Sequence, residues 1–536
     1  MLGVLLVKPW FQFWPDGANK NIQYPTIPLF NFLVDSAGRQ PERPALVFYD
    51  KRLTYSELNL FTNRLANCLI SLGLKKNERV TLFLPNIPEF VISYYGVLKA
   101  GGIVTSVNPL YKETELKYQI RATESSTIII HSSLLPVLRK VLIDTPMKNI
   151  LVVDGDDHEF FPFNDGIGKC SIDQPSVGIV PKEDIAVIQF TGGTTVMPKG
   201  AMMTHNNLVS NAIMNAKWFS WSDRDIVLKV LPLCHTWGAC SMNSVFYVGA
   251  SMVLMGRFDP EEVLKTIERA RVTILYGSAT MFNMLVNYPH IGEFDLSSLR
   301  CVKAGAMPIP EEIKRRWDKL GVAELNLGYG LTEASPETHN NPPGRVKVGT
   351  IGIPMMDTDA KIVDVGTGLK ELSSGEVGEL VINGPQVMKG YLANEEETKI
   401  ALRNGWLYTG DLALMDDEGY FRIVDRKKDL IKYKGYSVFP VELEDLLYKH
   451  PSVKECAVVG KPSPEVGEIP KAYIVIKDGA TTTKDELLEF CDIRIAPYKK
   501  IREVEFIEKL PKTSVGKILK RTIKKMQEMT DKSEGQ

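Results

Sequence analysis

The segment that most constrains this chain begins at Asp184. Asp184-Ile-Ala-Val-Ile-Gln-Phe190 is a run of apolar β-formers with the length of one buried strand. It passes directly into Thr191-Gly-Gly-Thr-Thr-Val-Met-Pro-Lys-Gly200, and Thr204-His-Asn-Asn then supplies N-cap residues for a helix to about Phe219. Strand, Gly/Thr-rich loop and helix in that order suit an open α/β sheet, in which ligands sit beyond the strand ends. The loop has the groups a polyphosphate needs. Gly192 and Gly193 let the backbone approach closely, Thr191, Thr194 and Thr195 offer hydroxyl donors, and Lys199 offers a charge. Pro198 and Gly200 flank the lysine, so the segment stays a loop and is not the Gly-Lys-Ser/Thr helix start of a P-loop. On Gly and Thr alone, a polar turn is an equally good reading.

The pattern around it extends the α/β expectation. Leu58, Phe61, Leu65 and Leu69 recur at helical spacing after Ser56, Arg79–Leu84 reads as a strand, Val91–Leu98 as a helix ended by Gly101-Gly102, and Ile103–Val107 as a strand. Apolar strands alternating with helices predict layers around a largely parallel sheet. A boundary falls near Asp425-Arg-Lys-Lys-Asp429, and beyond it lies a small α+β unit. A helix with Pro440 near its start is followed by strands at Glu455–Val459 and Lys471–Lys477, a helix over Thr483–Ile495 and a strand at Glu503–Ile507. The expected division is 1–425 and 426–536.

Lys plus Arg is 64 and Asp plus Glu is 65, a net charge of −1, so no global field draws the chain to nucleic acid. Seven cysteines, none in a C-x-x-C pair, read as reduced thiols of a cytoplasmic protein, and the histidines show no zinc-ligand spacing with them. Met1–Val7 is short, apolar and stopped by Lys8-Pro9, and reads as mature sequence. No run reaches the ~18 apolar residues of a membrane span.

Further segments follow the loop in order: Tyr329-Gly-Leu-Thr-Glu333, Trp406-Leu-Tyr-Thr-Gly-Asp411, Asp425-Arg-Lys-Lys-Asp-Leu-Ile-Lys432, Lys434-Gly-Tyr436 and Pro511-Lys-Thr-Ser-Val-Gly-Lys517. The set resembles the adenylate-forming superfamily of acyl-CoA synthetases, peptide-synthetase adenylation domains and luciferases, over most of the chain from about Leu53 onward. The family's loop is usually Thr-Ser-Gly-Thr-Thr-Gly-x-Pro-Lys-Gly. Here Gly192 removes one hydroxyl donor and Val196, β-branched, restricts the backbone.

The resemblance implies a large multi-layered N-terminal adenylating domain and a small mobile C-terminal one, with ATP, Mg²⁺ and coenzyme A as the small molecules handled. It implies Lys517 as the adenylation lysine, Glu333 as the magnesium carboxylate, and Thr332 at the α-phosphate. Gly305 and Ala306, within Ala304-Gly-Ala-Met-Pro308, would lie along the adenine, with Tyr329 and Gly330 against the base and Asp411 and Arg426 at ribose or phosphate. Lys428 takes the hinge place, and Lys434 and Gly435 the pantetheine tunnel. Pro232-Leu-Cys-His-Thr-Trp-Gly238 resembles the acyl-site segment, which puts His235 near the carboxylate. Trp237, Met242, Tyr276, Met281 and Phe282 are candidates for an apolar pocket or for core.

Asn21-Ile-Gln-Tyr-Pro25 is similar to medium- and long-chain fatty acid enzymes. The expectation is therefore an ATP-dependent fatty acid:CoA ligase, with a homodimer and transient membrane contact through an apolar patch compatible with it. The alternatives are an aryl-acid CoA ligase, an enzyme loading a separate carrier protein, a luciferase-like oxygenase, and a non-catalytic acyl-binding protein.

Overall fold

The computed structural model describes residues 8–15, 18, 21–155, 159–191, 198–307, 309–434, 436–463, 465–512 and 518–534. The chain forms two compact units. One takes the residues up to Asp359 together with Asn383–Leu407, and the other takes Ala360–Ile382 together with the residues from Tyr408 onward. Residues 408–425 thus pack with the second unit.

Two sheets build the first unit. In a nine-stranded sheet the strands run Ile353–Pro354, Glu337–Asn340, Leu325–Gly330, Cys301–Gly305, Ile274–Ser278, Ile226–Lys229, Ser251–Leu254, Pro44–Phe48 and Lys51–Thr54 in spatial order. Neighbours are parallel from Leu325–Gly330 to Pro44–Phe48 and antiparallel at both margins. The eight-stranded sheet holds the parallel set Ile185–Phe190, Ile103–Ser106, Arg79–Phe83, Thr127–His131, Asn149–Val153 and Phe161–Pro162. Central strands such as Ile103–Ser106 and Ile274–Ser278 are buried at every residue, as parallel strands covered on both faces must be.

Local chemistry explains where the helices start. Thr54 and Glu57 close a reciprocal capping box on Tyr55–Ser71, and Thr204 with Asn207 does the same for His205–Trp218. Pro88–Lys99 is buried at every residue but Glu89. Its last residue, Lys99, is 1% exposed and donates to Asn59 Oδ1, Thr62 Oγ1 and Asn63 Oδ1 at 2.6, 2.8 and 2.7 Å, while burial pushes its amine down to about 7.

One expectation changes. The Gly/Thr-rich loop does not lead straight into a helix, because a strand, Gly200–Thr204, intervenes and pairs antiparallel with Ile185–Phe190. The two strands form a hairpin, and at its end Thr191 N–H donates to Lys199 O at 2.9 Å. Gly200–Thr204 in turn pairs with Gly390–Tyr391, which brings in a distant piece of chain.

In the second unit Val453–Ser463 and Gly467–Ile476 form a long hairpin, flanked by Ile431–Tyr433 and by the parallel strand Glu503–Phe506. Helices Pro440–Tyr448 and Lys484–Asp492 cover it, and Leu443, Leu447, Val458, Ile474 and Leu487 are its fully buried core. Trp406–Met415 and Phe421–Arg426 make an antiparallel pair in a second small sheet. All seven cysteines are free thiols. Among the described residues no helix is long and apolar enough to cross a membrane.

Candidate active site

The first unit gathers one group of the expected residues. Lys199 ends the hairpin loop, and its Nζ meets Glu397 Oε2 at 2.6 Å while lying 4.8 Å from the centre of the Tyr391 ring. Tyr391 donates its hydroxyl to Glu333 Oε1 at 2.7 Å. Burial first, then the charges of Glu333 and Glu397, raise the Tyr391 phenol far above its usual range, so it stays a donor. Glu333 sits in the single turn Thr332–Ala334, anchored by Met388 N–H donating to its carbonyl at 2.8 Å. A cation and a carboxylate therefore meet one phenol, the first over its ring and the second at its hydroxyl.

Strand ends supply the next members. Gly305 closes its strand, and Ala306 follows at φ +69°, an unusual backbone for alanine of the kind that collects at binding sites. Tyr329 and Gly330 end the neighbouring strand, with the Tyr329 ring edge-on to His339 at 6.0 Å. Only glycine fits at 330, since a Cβ there would stand 2.3 Å from Pro336 O.

His235 is the N-cap residue of helix Thr236–Val248. Its Nε2 is buried with no hydrogen-bond partner among the described residues, and burial lowers the imidazole below its usual range. A neutral, buried, unpartnered ring nitrogen is costly to keep unless a ligand meets it. Gly238 lets this helix begin where it does, because a Cβ would lie 2.1 Å from Pro232 O.

The second unit holds its own group. Asp411 and Arg426 face each other across Trp406–Met415 and Phe421–Arg426, with Nε to Oδ1 at 3.3 Å. Lys427 pairs with Glu379 at 2.8 Å. Lys428 occupies the exposed turn that follows. Lys434 is exposed at φ +49°, with its N–H donating to Val466 O at 2.8 Å. Gly192, Gly193, Thr194, Thr195, Gly435 and Lys517 lie outside the described residues, as do Met1–Val7, Val196 and Pro308.

The donor set suits magnesium arriving with a nucleotide. Among the described residues no group of three or more His, Cys, Asp or Glu could cage a metal, whereas one carboxylate plus phosphate oxygens is how Mg²⁺ is usually held. The pocket candidates divide. Met242 and Phe282 are 0% exposed, and Phe282 packs edge-on against Trp317 at 5.0 Å, which makes it core. Trp237 and Tyr276 lie beside His235 and the strand ends, with ring centres 5.8 Å apart. Sequence reasoning missed Tyr391 and Glu397, whose proximity to Lys199 depends on the pairing of Gly390–Tyr391 with the hairpin. It also missed Asp357, which accepts from Ile22 N–H and the Tyr24 hydroxyl at 2.9 and 2.8 Å and so fixes Asn21–Pro25.

The chain is similar to known proteins over most of its length. Residues 33–392 match the family described as AMP-binding enzyme, and residues 442–517 match the AMP-binding enzyme C-terminal domain. The chain is 41% identical to a long-chain-fatty-acid–CoA ligase of Bacillus subtilis, covering 96% of this chain and 97% of that one. It is 35% identical to 4-coumarate-CoA ligase 1 of Narcissus pseudonarcissus, covering 93% of each. The crystal structure of ATP-bound MatB from Rhodopseudomonas palustris superposes with a TM-score of 0.86 at 29% identity, over 93% of this chain and 98% of that one.

Proposed function

The chain belongs to the AMP-binding enzyme family, and from that premise we propose that it is an ATP-dependent acid:CoA ligase acting on medium- or long-chain fatty acids. The observation that carries this reading is the linkage of Lys199 to Glu333 through Tyr391, which assembles a phosphate-seeking cation and a magnesium-type carboxylate on one phenol. The acid attacks the α-phosphorus of ATP and pyrophosphate leaves, and the thiol of coenzyme A then attacks the acyl carbon of the adenylate, forming the thioester and releasing AMP.

Each residue has a part in these two displacements. Lys199 exchanges Glu397 for the outgoing phosphates, so the charge that neutralises it at rest becomes free. Thr191, Gly192, Gly193, Thr194 and Thr195 line the same phosphates, and Thr332 meets the α-phosphate. Glu333, oriented by the Tyr391 hydroxyl, holds magnesium, which supplies neutralisation of phosphate charge. His235 Nε2 meets the acyl carboxylate, and Lys517 stabilises the charge that develops between carboxylate and α-phosphate. Gly305, Ala306, Tyr329 and Gly330 hold the adenine. Asp411 accepts from ribose hydroxyls, with Arg426 beside it. Lys428 is the hinge about which 426–536 turns against 1–425 between the two steps, and Lys434 and Gly435 line the path of pantetheine. The reading carries with it a cytoplasmic enzyme, monomer or homodimer, that meets its lipid substrate by transient membrane contact.

The test is AMP formation from ATP, Mg²⁺ and free coenzyme A with acids from acetate to oleate and with coumarate, for wild type and Lys517→Ala. AMP and acyl-CoA that peak on fatty acids and vanish in the variant are expected. AMP with coumarate alone moves the protein to the aryl-acid ligases. AMP that needs no free coenzyme A marks a carrier-loading enzyme, and no AMP with any acid overturns the reading.

A further inference from the structure

Lys520 stands where helix chemistry disfavours it. It opens the helix Lys520–Glu534, at the positive end of the helix dipole. Its side chain is 15% exposed, so the amine has also lost most of its water. Carboxylates hold it there. Nζ meets Glu444 Oε1 at 2.7 Å, and Asp425 acts on the same charge. Burial works against the ammonium, but Glu444 and then Asp425 outweigh it and raise Lys520 above its ordinary value.

Each carboxylate is fixed in turn. Glu444 belongs to helix Pro440–Tyr448, and its Oε1 also accepts from Val458 N–H at 2.7 Å. Asp425 is 3% exposed. Its Oδ2 accepts from Val441 N–H at 3.0 Å and its Oδ1 from Arg426 N–H at 2.7 Å. One ammonium therefore ties the start of the C-terminal helix to helix Pro440–Tyr448 and to the strand end at Arg426, all within the second unit.

The chain just before Lys520 is the one that carries Lys517. Ile518 pairs with Lys512 as an isolated antiparallel bridge, and Leu519 N–H donates to Pro511 O at 2.9 Å. Lys512 is itself paired with Glu455 in strand Val453–Ser463. The two flanks of the Lys517 segment are thus tied to each other, and an ion pair anchors each of them to the second unit. Burying the Lys520 pair adds little stability over apolar residues of the same size, because desolvation offsets the attraction. What it does fix is the place of the Lys517 flank relative to Arg426.

Resting on the ligase reading above, in which Lys517 stabilises the charge that develops during adenylation, we infer that Lys520 is a positioning residue for that step. Its ammonium, held by Glu444 and Asp425, keeps the chain just beyond Lys517 beside the strand end that carries Arg426. Attack of the coenzyme A thiol on the adenylate makes no use of Lys517 in that reading, so the tie serves the first displacement and not the second.

The experiment uses the full-length enzyme and follows the two displacements separately. ATP–pyrophosphate exchange with oleate reads the first, and thioester formation from synthetic oleoyl-adenylate and coenzyme A reads the second. Wild type is compared with Lys520→Met, Lys520→Arg, Glu444→Gln and Lys517→Ala, each with its melting temperature. Exchange is expected to fall about tenfold or more in Lys520→Met and to recover in Lys520→Arg, while the thioester step stays within about twofold of wild type. Glu444→Gln, which keeps an acceptor for Val458 N–H, should show the same split with a smaller loss. The split is the readout because general destabilisation lowers both steps alike. Unchanged exchange in folded Lys520→Met, or equal loss of both steps, overturns the inference, and Glu444→Gln decides by the same criterion if Lys520→Met does not fold. Exchange at the wild-type rate in Lys517→Ala overturns the role given to Lys517 and the inference with it. Exchange lost in Lys517→Ala but intact in Lys520→Met overturns the inference alone.

Discussion

Lys199 and Glu397 meet at 2.6 Å although 198 residues separate them in the chain. The pairing of Gly390–Tyr391 with Gly200–Thr204 brings them together. The loop lysine is thus paired with a carboxylate, with which an incoming phosphate competes. The pair is partly exposed, at 19% and 36%, so breaking it costs little. Glu397→Gln is expected to lower KM for ATP about threefold, within the ~1 kcal/mol of an exposed pair. Lys199→Ala is expected to reduce kcat/KM for ATP by about 10²-fold. Steady-state kinetics at varied ATP check both, and an unchanged KM in Glu397→Gln would remove the competition.

Tyr391→Phe tests the other side of the phenol. The Glu333 carboxylate loses the hydroxyl that orients it, a hydrogen bond to a charged group of about 1.5–3 kcal/mol. The magnesium concentration for half-maximal activity should rise about tenfold, with the melting temperature nearly unchanged. Titrating Mg²⁺ at saturating ATP measures this.

Gly238→Ala puts a Cβ against Pro232 O, 2.1 Å away. The first turn of helix Thr236–Val248 must shift and carry His235 with it. Overpacking of this kind costs about 1–3 kcal/mol. Pyrophosphate exchange with acid present should fall by about 10²-fold, since small displacements of a positioning group cost that much. Exchange at the wild-type rate would show that His235 Nε2 does not meet the acid.

His205 makes a pH prediction. Its Nδ1 accepts from Leu29 N–H at 3.0 Å, and burial lowers the imidazole to about 4 from an ordinary value of 6.5. The folded protein holds the ring neutral while the unfolded chain takes a proton below 6.5. Stability from this group is therefore complete above 6.5 and lost as pH falls toward 4, by about 3 kcal/mol in all. His205→Asn keeps an acceptor and removes the titration. Its melting temperature should fall less steeply than that of wild type between those pH values, and parallel curves would refute the assignment.

Lys428→Pro locks one backbone angle in the exposed turn after Phe421–Arg426. If the turn is the hinge, ATP–pyrophosphate exchange should persist while thioester formation falls about tenfold or more. Equal loss of both steps would assign the turn to structure alone.

Much of the fold was legible because its signals are local. The capping boxes at Thr54, Thr204 and Thr483 mark helix starts within four residues of sequence, and the fully apolar strands announce parallel sheets. The unread strand Gly200–Thr204 shows the limit. Gly-Ala-Met-Met-Thr has no alternation and two methionines, and it becomes a strand because Ile185–Phe190 and Gly390–Tyr391 flank it.

The candidate site divides the same way. The order of motifs from Thr191 to Lys517 is a property of the sequence by itself, as are the residue types that suit phosphate, ribose and carboxylate. Only the tertiary structure decided that Tyr391 stands between Lys199 and Glu333, that His235 Nε2 is left without a partner among the described residues, and that Lys303 and Glu337 pair beside Trp237. Motifs and caps act over a few residues, so composition and spacing reveal them. Electrostatic partners are chosen by strand order, which brings together side chains whose separation in the chain carries no signal.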